Sequence, residues 1–276
     1  FNHDHVEHVK FKMETLKTVT KLITPGCWFY SLDLKDAYYS IPVHEDLRKY
    51  LRFMFEGVLY QYTVMPNGYR DAPRVFTGLL RVPLQMIRQE LEATIAGYID
   101  DTLGVESGQK EELAHIPIEA ANRIESFGFT INWPKSQTAL THKIIFLGLE
   151  LDSMAMTIAV PNGKAHEIKQ AIKSLLKREM NTIRSVCSVV GRIVSTSPAN
   201  RYARLYTVKA TIEITAALAA SRGDYSQLMN LSAEAREDLM EQHAHLKGCK
   251  APIFESEPDI VIKTDASQKG WGVYAP

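Results

Sequence analysis

Three aspartates that follow apolar stretches are the residues of this chain best suited to hold divalent cations. Asp33 stands near the end of an aromatic and apolar run from Trp28 to Leu34, and Asp100 and Asp101 separate two further apolar runs. If these runs are neighbouring strands of one antiparallel sheet, the three carboxylates meet at one edge, where their repulsion requires a cation or raised pKa values. Oxygen ligands without Cys or His favour Mg²⁺, held by one or two carboxylates and substrate phosphates. Two such ions about 3.5–4 Å apart would stabilise both oxygens of an in-line phosphoryl displacement.

The elements that must position these carboxylates are indicated by apolar periodicity and by turn residues. The predicted elements are a helix from His8 to Ile23, a strand from Trp28 to Leu34, a strand pair from Leu51 to Phe55 and Val58 to Met65 around Glu56-Gly57, a helix from Ala72 to Glu90 that Pro83 should kink or interrupt, strands from Thr94 to Ile99 and Thr102 to Val105 with Asp100-Asp101 at their tip, a helix from Gln109 to Phe127, a strand pair within Ile144 to Leu151, helices from Pro161 to about Leu246, a strand from Asp259 to Thr264 and a turn from Asp265 to Gly272. This order indicates an α+β domain followed by an all-α one. Taken alone, Asp100-Asp101 is equally compatible with an ordinary turn.

Charge and cysteine content narrow the class of protein. The net charge is zero, but the segment from Pro161 to Ala210 holds ten Lys and Arg against two acids, which is the electrostatic footprint that a phosphate backbone requires. A solvated helix face explains the same charges. Three well-separated cysteines argue against a disulfide framework or a Cys-rich zinc site and predict a reducing, intracellular location, cytoplasmic or nuclear. No apolar run approaches the roughly 18 residues that a membrane span needs, so no membrane partner is predicted.

Five segments resemble, in order, the motifs of the reverse-transcriptase family. They are Ser31-Leu-Asp-Leu-Lys-Asp-Ala-Tyr-Tyr-Ser-Ile-Pro42 for motif A, Met65-Pro-Asn-Gly-Tyr-Arg-Asp-Ala-Pro-Arg-Val-Phe76 for motif B, Tyr98-Ile-Asp-Asp101 for the YxDD box of motif C, Phe127-Gly-Phe-Thr-Ile-Asn-Trp-Pro-Lys-Ser136 for motif D, and Phe146-Leu-Gly-Leu-Glu-Leu151 for the primer grip of motif E. The residues of Phe11-Lys-Met-Glu14 and of motif A are most similar to those of the DIRS-like group of LTR-related retroelements. The stretch from Ile260 to Tyr274 resembles the first strands of a ribonuclease H domain.

The resemblance implies a right-hand polymerase fold of the α+β class. Residues 1–158 would form partial fingers and the palm, an antiparallel sheet with helices behind it, and residues 159–250 a helical thumb and connection. Residues 251–276 would begin a truncated ribonuclease H domain, with Asp265 as the leading carboxylate of an incomplete metal site. We expect the chain alone to be weakly active, because basic residues that hold the triphosphate in this family lie upstream of residue 1.

The resemblance also implies an RNA- or DNA-templated DNA polymerase that adds dNTPs to a primer. Asp33 and Asp100 would be the principal ligands of two Mg²⁺ ions, with Asp101 and the Leu34 carbonyl completing the set and Mn²⁺ as a possible substitute. Lys135 would neutralise or protonate the leaving pyrophosphate, although a surface lysine at a strand end is an equally simple explanation.

The remaining positions implied by the resemblance surround the nucleotide and the primer. They are Asp36, Ala37, Tyr38, Asn67 and Gly68 for the dNTP, Phe146, Leu147 and Gly148 for the primer terminus, and Lys169, Lys173 and Lys177 for the template–primer backbone. A simpler alternative exists for each set: a palm-core tyrosine for Tyr38, a plain Pro-Asn-Gly turn for Asn67 and Gly68, a core strand for Phe146 to Gly148, and a solvated helix face for the lysines. Tyr38 would exclude a 2′-hydroxyl as a steric gate.

Two other functions remain open at the level of sequence. Asp71 replaces the small residue usual in motif B, and its charge would weaken nucleotide binding unless it points away or pairs with Arg70 or Arg74. That departure favours a degenerate or domesticated copy that binds nucleic acid without catalysis. An RNA-dependent RNA polymerase would use the same arrangement of metal-binding carboxylates, but Tyr38 and the ribonuclease H resemblance argue against it. The sequence leaves the oligomeric state open.

Overall fold

The structure is a computed structural model that describes residues 2–7, 9–254, 260–267 and 270–275. Its helices are α1 (Asn2–His5), α2 (Leu16–Thr20), α3 (Glu45–Arg48), α4 (Ala72–Glu90), α5 (Lys110–Leu113), α6 (Ile116–Ser126), α7 (Asn162–Leu176), α8 (Ile183–Val194), α9 (Val208–Ala220) and α10 (Ala233–His245), with short 3₁₀ segments at Ala37–Ser40 and Leu205–Thr207. Within the described residues, no helix is both long and apolar enough to cross a membrane.

The strands form one central sheet and several smaller ones. They are β1 (Trp28–Lys35), β2 (Arg52–Phe55), β3 (Val58–Gln61), β4 (Ile95–Tyr98), β5 (Asp101–Glu106), β6 (Thr130–Ile131), β7 (Gln137–Thr141), β8 (Lys143–Phe146), β9 (Leu149–Asp152), β10 (Thr157–Ala159), β11 (Met180–Thr182), β12 (Leu228–Asn230), β13 (Lys250–Pro252), β14 (Lys263–Ser267) and β15 (Gly270–Tyr274). The central sheet has the order β4-β5-β1-β6, and β7 also pairs with β1. A second sheet has the order β13-β10-β9-β8. This mixed α/β architecture agrees with the coarse part of the prediction, a fold that combines a sheet with helices.

Strand β1 lies between two hydrophobic cores because its successive side chains point to opposite faces. Tyr30, Leu32 and Leu34 are buried on the face covered by α4 and α6. Phe29 is buried on the other face, in a core shared with the second sheet and the helices after residue 161. Ser31 and Asp33 alternate with Phe29 and therefore belong to that second face. The polar end of β1 consequently faces the second sheet.

Helix α4 covers the first face of the central sheet. Its buried residues recur every three or four positions, at Ala72, Phe76, Leu80, Leu84 and Ile87, which is the amphipathic pattern that predicts a helix. The helix continues through Pro83, where an interruption or kink was predicted. Pro83 is itself buried, so its packing offsets the one backbone hydrogen bond that proline cannot donate.

Two predicted helices are shorter than expected. The helix predicted from His8 to Ile23 is restricted to α2, where Thr15 caps the first turn through a capping box with Thr18; His8 lies outside the described residues. The helix predicted from Gln109 to Phe127 is divided into α5 and α6. Pro117 stands in the first turn of α6, where its missing N–H costs nothing, so a new helix begins there.

The C-terminal part of the chain also departs from prediction. The strand expected from Asp259 to Thr264 is observed as β14, which begins at Lys263; Asp259 lies outside the described residues. Asp265 is in this strand, opposite Gly272 of β15, rather than in the predicted turn. The β11–β12 ribbon was not predicted, because segments of three residues carry little periodicity.

Candidate active site

The register of β1 and β5 brings the acidic residues together. The two strands pair antiparallel with Asp33 opposite Asp101. Directly opposed residues have Cα atoms about 4.5–5.5 Å apart and side chains on the same face. The backbone N–H of Leu34 donates a hydrogen bond of 2.9 Å to the carbonyl of Asp100. Asp33, Asp100 and Asp101 therefore converge at one end of the central sheet, although they are remote in sequence.

The turn between β4 and β5 is displaced by one residue from its predicted position. Tyr98 pairs with Asp101 across the hairpin, so the two-residue loop is Ile99-Asp100 and Asp101 begins β5. Ile99 has φ of 53°, an unfavourable value for a β-branched side chain. Such a conformation persists only where the surrounding structure holds it. Asp100 is thus carried by a strained turn.

Asp33 and Asp101 both line a cavity of about 200 Å³. Its other lining residues come from β1, β5 and β8, from the turn between β6 and β7 and from the turn between β8 and β9: Ser31, Leu32, Thr102, Lys135, Ile145, Phe146, Leu147 and Gly148. The cavity therefore joins the acidic end of the central sheet to one end of the second sheet. Lys135, predicted as a site residue, lies in the same cavity as the two carboxylates.

The negative charges of the three aspartates act on one another at this end of the sheet. Burial raises the pKa of Asp101, and the negative charges of Asp100 and Asp33 raise it further, whereas the positive charge of Lys135 lowers it. Among the described residues, no three His, Cys, Asp or Glu side chains are already arranged to enclose a metal. Mg²⁺ is usually held by only one or two carboxylates together with substrate phosphates, so this donor set fits that ion.

Two residues that sequence reasoning missed hold the end of β1 in place. The N–H of Asp33 donates to Oγ of Ser136 at 3.0 Å, and the N–H of Asn132 donates to the Asp33 carbonyl at 2.8 Å. The Ser136 hydroxyl in turn donates to the Asn132 carbonyl at 3.0 Å. Both residues lie within the segment that resembles motif D, so the turn that presents Lys135 also fixes the backbone of Asp33.

Tyr38 lies beside the acidic turn. It follows Asp36, whose φ of 53° places it in the left-handed region, and Ala37, which begins a 3₁₀ segment. The Tyr38 ring packs edge-to-face on Phe76 with ring centroids 5.7 Å apart. Burial raises the pKa of Tyr38, and the charge of Asp100 raises it further. The ring is thus packed against the core that contains Phe76 and lies close to Asp100.

The segment that resembles motif B is an open turn whose polar groups are engaged. The side-chain amide of Asn67 donates to the Tyr39 hydroxyl at 3.1 Å. Gly68 has φ of +86°, and a Cβ placed there would meet no atom within 4 Å. Glycine is therefore favoured here by the backbone conformation rather than by crowding. The Gly68 carbonyl accepts a hydrogen bond of 2.6 Å from Asn2.

The charge of Asp71 is neutralised locally. Arg74 donates from Nε and Nη2 to the two carboxylate oxygens of Asp71, at 2.7 and 2.5 Å. This bidentate pair holds the pKa of Asp71 below its ordinary value. The sequence allowed for pairing with Arg70 or Arg74, and the structure shows Arg74 as the partner.

Comparison with known proteins identifies the family. Residues 2–151 match the family described as reverse transcriptase (RNA-dependent DNA polymerase). The chain belongs to the reverse transcriptase family. It is 25% identical over 177 residues to the Gag-Pol polyprotein of walleye dermal sarcoma virus, an alignment covering 64% of this chain and 10% of the polyprotein. The chain thus spans about a tenth of that relative.

Solved structures show the same fold at low sequence identity. A foamy viral protease-reverse transcriptase in complex with an RNA/DNA hybrid matches with a TM-score of 0.65 at 16% identity, covering 97% of this chain and 36% of that one. The foamy viral enzyme in complex with dsDNA matches with a TM-score of 0.61 at 19% identity, covering 99% and 53%. These likenesses establish the fold of this reverse transcriptase chain.

The segment that resembles the primer grip lines the cavity with all three of its predicted residues, Phe146, Leu147 and Gly148. Phe146 is 3% exposed and belongs to the core of the second sheet. Leu147 and Gly148 both have positive φ, 49° and 72°, and form the two-residue turn between β8 and β9. The Gly148 carbonyl accepts a hydrogen bond of 3.2 Å from Nζ of Lys164, a residue in the first turn of α7 that sequence reasoning missed.

The predicted backbone-binding lysines of the reverse transcriptase lie elsewhere. Lys169 and Lys173 are on α7, and Lys177 immediately follows that helix. Besides burial, the positive charges of Lys169 and Lys173 lower the pKa of His243, so these lysines approach α10. None of the three is among the described residues that line the carboxylate cavity. Their role in nucleic-acid binding stays a prediction.

Proposed function

We propose that this reverse transcriptase chain is the core of an RNA- and DNA-directed DNA polymerase that adds dNTPs to a primer 3′-hydroxyl. The observation that carries the proposal is the convergence of three acidic residues. Asp33 stands opposite Asp101, and the backbone of Asp100 is hydrogen-bonded to Leu34. The cavity lined by Asp33 and Asp101 is also lined by the β8–β9 turn, so a primer terminus held by that turn would lie beside these two aspartates.

The carboxylates suit a two-metal mechanism. Asp33, Asp100 and Asp101, with the Leu34 carbonyl, would hold two Mg²⁺ ions, for which Mn²⁺ is a possible substitute. When bound, the ions supply charge stabilisation for the attacking and leaving oxygens. The protein contributes by position: Ser136 and Asn132 fix the Asp33 backbone, and catalysis of phosphoryl transfer is mostly positioning and electrostatic stabilisation.

Other residues would contact the nucleotide. Tyr38, held against Phe76 and close to Asp100, would pack under the sugar and exclude a 2′-hydroxyl, next to Asp36 and Ala37. Asn67 and Gly68 would approach the base and template. Lys135 shares the cavity of Asp33 and Asp101 and would neutralise the leaving pyrophosphate.

The division into domains and the partners are part of the proposal. Residues 1–158 would be fingers and palm, 159–250 thumb and connection, and 251–276 the start of a ribonuclease H domain with Asp265. Lys169, Lys173 and Lys177 would contact the template–primer backbone, so binding would weaken with salt. The foamy viral neighbours are complexes with dsDNA or an RNA/DNA hybrid, which supports such partners here.

The source of the chain is proposed as an LTR-related retroelement, with the DIRS-like group as the finer assignment. The rival function, a degenerate copy that binds nucleic acid without catalysis, was favoured by the charge of Asp71. The pairing of Asp71 with Arg74 offsets that charge and removes this reason for the rival.

The test is Mg²⁺-dependent extension of oligo(dT) on poly(rA) by the full-length parent protein. We expect extension by the parent and by Asp238→Asn, a matched change on α10, and loss of most of the rate in Asp100→Asn with template–primer binding retained. A parent that binds template–primer but never extends it, with Mg²⁺ or Mn²⁺, supports the rival. Full activity of Asp100→Asn would show that the carboxylates are wrongly assigned.

A further inference from the structure

Strand β4, which leads into the acidic turn, is an edge strand of the central sheet. It pairs with β5 on one side, and an edge strand leaves backbone N–H and C=O groups without strand partners on the other. Two side chains take up these groups. The N–H of Gly97 donates to Oε2 of Glu14 at 2.6 Å, and Arg88 donates from Nε and Nη2 to the Ile95 carbonyl at 2.9 and 2.6 Å.

The same two side chains are joined to each other. Nη2 of Arg88 donates to Oε1 of Glu14 at 2.9 Å, and both side chains are about one-third exposed, 33% for Glu14 and 35% for Arg88. The carboxylate therefore accepts as a strand carbonyl would, and the guanidinium donates as a strand N–H would. Together they close the edge of β4 and tie it to α4 and to the segment before α2.

The position of this closure connects it to the acidic turn. Gly97 is two residues before Ile99, whose left-handed φ of 53° needs support from its surroundings. Asp100 follows directly. Glu14 belongs to Phe11-Lys-Met-Glu14, a stretch noted in the sequence without any role in the proposed chemistry. Its carboxylate reaches the strand that carries the turn, so it bears on where Asp100 stands.

We propose that Glu14, acting through Gly97 and Arg88, is a positioning residue that fixes the position and orientation of the turn that carries Asp100. The inference rests on the proposed polymerase function. A simpler explanation is a surface ion pair between Glu14 and Arg88. Such a pair would contribute little to stability, and it would form equally well if the acidic and the basic residue exchanged places. Only the positioning role requires a hydrogen-bond acceptor for the Gly97 N–H and a donor for the Ile95 carbonyl.

The experiment uses the full-length parent with Glu14→Ala, Glu14→Gln and the charge swap Glu14→Arg/Arg88→Glu. Single-turnover rate, template–primer Kd and the urea midpoint are measured for each. We expect a loss of rate of about ten- to a hundredfold in Glu14→Ala, since a misplacement of about 1 Å can cost a hundredfold, with Kd nearly unchanged. The swap restores an ion pair but presents a guanidinium to the Gly97 N–H, so the rate should stay low.

The matched control is Glu90→Gln. Glu90 pairs with Arg123 at similar exposure, 41% and 37%, and lies at the end of α4, so its loss should leave the rate unchanged. Recovery of the rate in the charge swap, or full rate in both Glu14 variants, overturns the inference. Hydrogen exchange of the Gly97 amide serves as a readout that needs no activity: it should accelerate in Glu14→Ala, which removes the acceptor, and change less in Glu14→Gln, which keeps one amide oxygen. Unchanged protection overturns the inference even if the parent proves inactive, which would itself count against the proposed function.

Discussion

Replacing Gly104 with alanine tests the strand register on which the candidate site depends. Gly104 lies opposite Tyr30 in the β1–β5 pairing, in the same ladder that sets Asp33 opposite Asp101. A Cβ at position 104 would stand 1.9 Å from Cε1 and 2.1 Å from Cζ of Tyr30. The clash exists only if this register is correct, because a slip of one residue would place Leu103 or Val105 opposite the ring.

The expected cost of Gly104→Ala follows from these distances. Non-bonded carbon atoms pack at about 3.5–4.0 Å, so the ring would have to retreat by at least about 1.5 Å. Tyr30 is 0% exposed, so its ring cannot retreat into solvent. Overpacking a core typically costs about 1–3 kcal/mol and occasionally more; we expect the free energy of unfolding to fall by about 3 kcal/mol.

The assay is urea unfolding of Gly104→Ala in two backgrounds, wild type and Tyr30→Val. Truncating the tyrosine is itself costly, about 3–5 kcal/mol for removing a large aromatic, but it removes the atoms that the new Cβ would meet. Gly104→Ala should then add little further loss. Gly191→Ala is the matched control: Gly191 lies in α8 with nothing within 4 Å of its Cβ position, and we expect a gain of about 0.5–1 kcal/mol.

An equal cost of Gly104→Ala in both backgrounds would refute this reasoning. It would mean that the Tyr30 ring is not what limits residue 104, and the register that joins Asp33 to Asp101 would lose its support. A neutral effect in wild type would have the same meaning.

Three further predictions concern single contacts. Tyr38→Val should raise ribonucleotide incorporation by about tenfold or more, the factor that corresponds to ~1.4 kcal/mol, in a primer-extension assay with rNTPs; unaltered sugar discrimination would refute the steric-gate role. Arg74→Gln should raise the KM for dNTP because it leaves Asp71 without its partner, and Asp71→Ser in that background should restore it; persistence of the high KM would show that Arg74 acts otherwise. Burial raises the pKa of Glu106 to about 7 from 4.5. The folded protein therefore holds this proton more tightly than the unfolded chain does. The resulting stabilisation, roughly 3 kcal/mol, is complete below pH 4.5 and is lost as the pH rises to 7. Glu106→Gln should remove that loss in urea midpoints measured from pH 4.5 to 8, and an unchanged slope would show that another group titrates.

Much of the candidate site could be predicted from sequence, because its elements are marked by local patterns. The alternation in β1 and the spacing of apolar residues along α4 indicate which faces are covered, and the resemblance in motif order implies that the strands carrying the aspartates share a sheet. The turn residues Glu56-Gly57 likewise predicted the β2–β3 hairpin, where both have positive φ.

What was missed depends on contacts between distant segments. The apolar spacing before α2 indicated a longer helix. Glu14 instead accepts a hydrogen bond from the edge strand β4. A tertiary contact of this kind overrides helix propensity. The acidic turn is displaced by one residue because Ile99 accepts a left-handed conformation that its β-branched side chain disfavours. Ser136 and Lys164 bind backbone atoms more than ten residues away, and such partners leave no local sequence signal.

Cleavage of the backbone by hydroxyl radicals from Fe²⁺ bound in place of Mg²⁺ tests the central claim most directly. If one ion site is shared by the three aspartates of the full-length parent, cuts should appear together near residues 33 and 100–101. Excess Mg²⁺ should suppress both sets of cuts, and Asp33→Asn should weaken both. Cuts near only one of the two segments, or two sets that respond independently to Asp33→Asn, would contradict a common metal site.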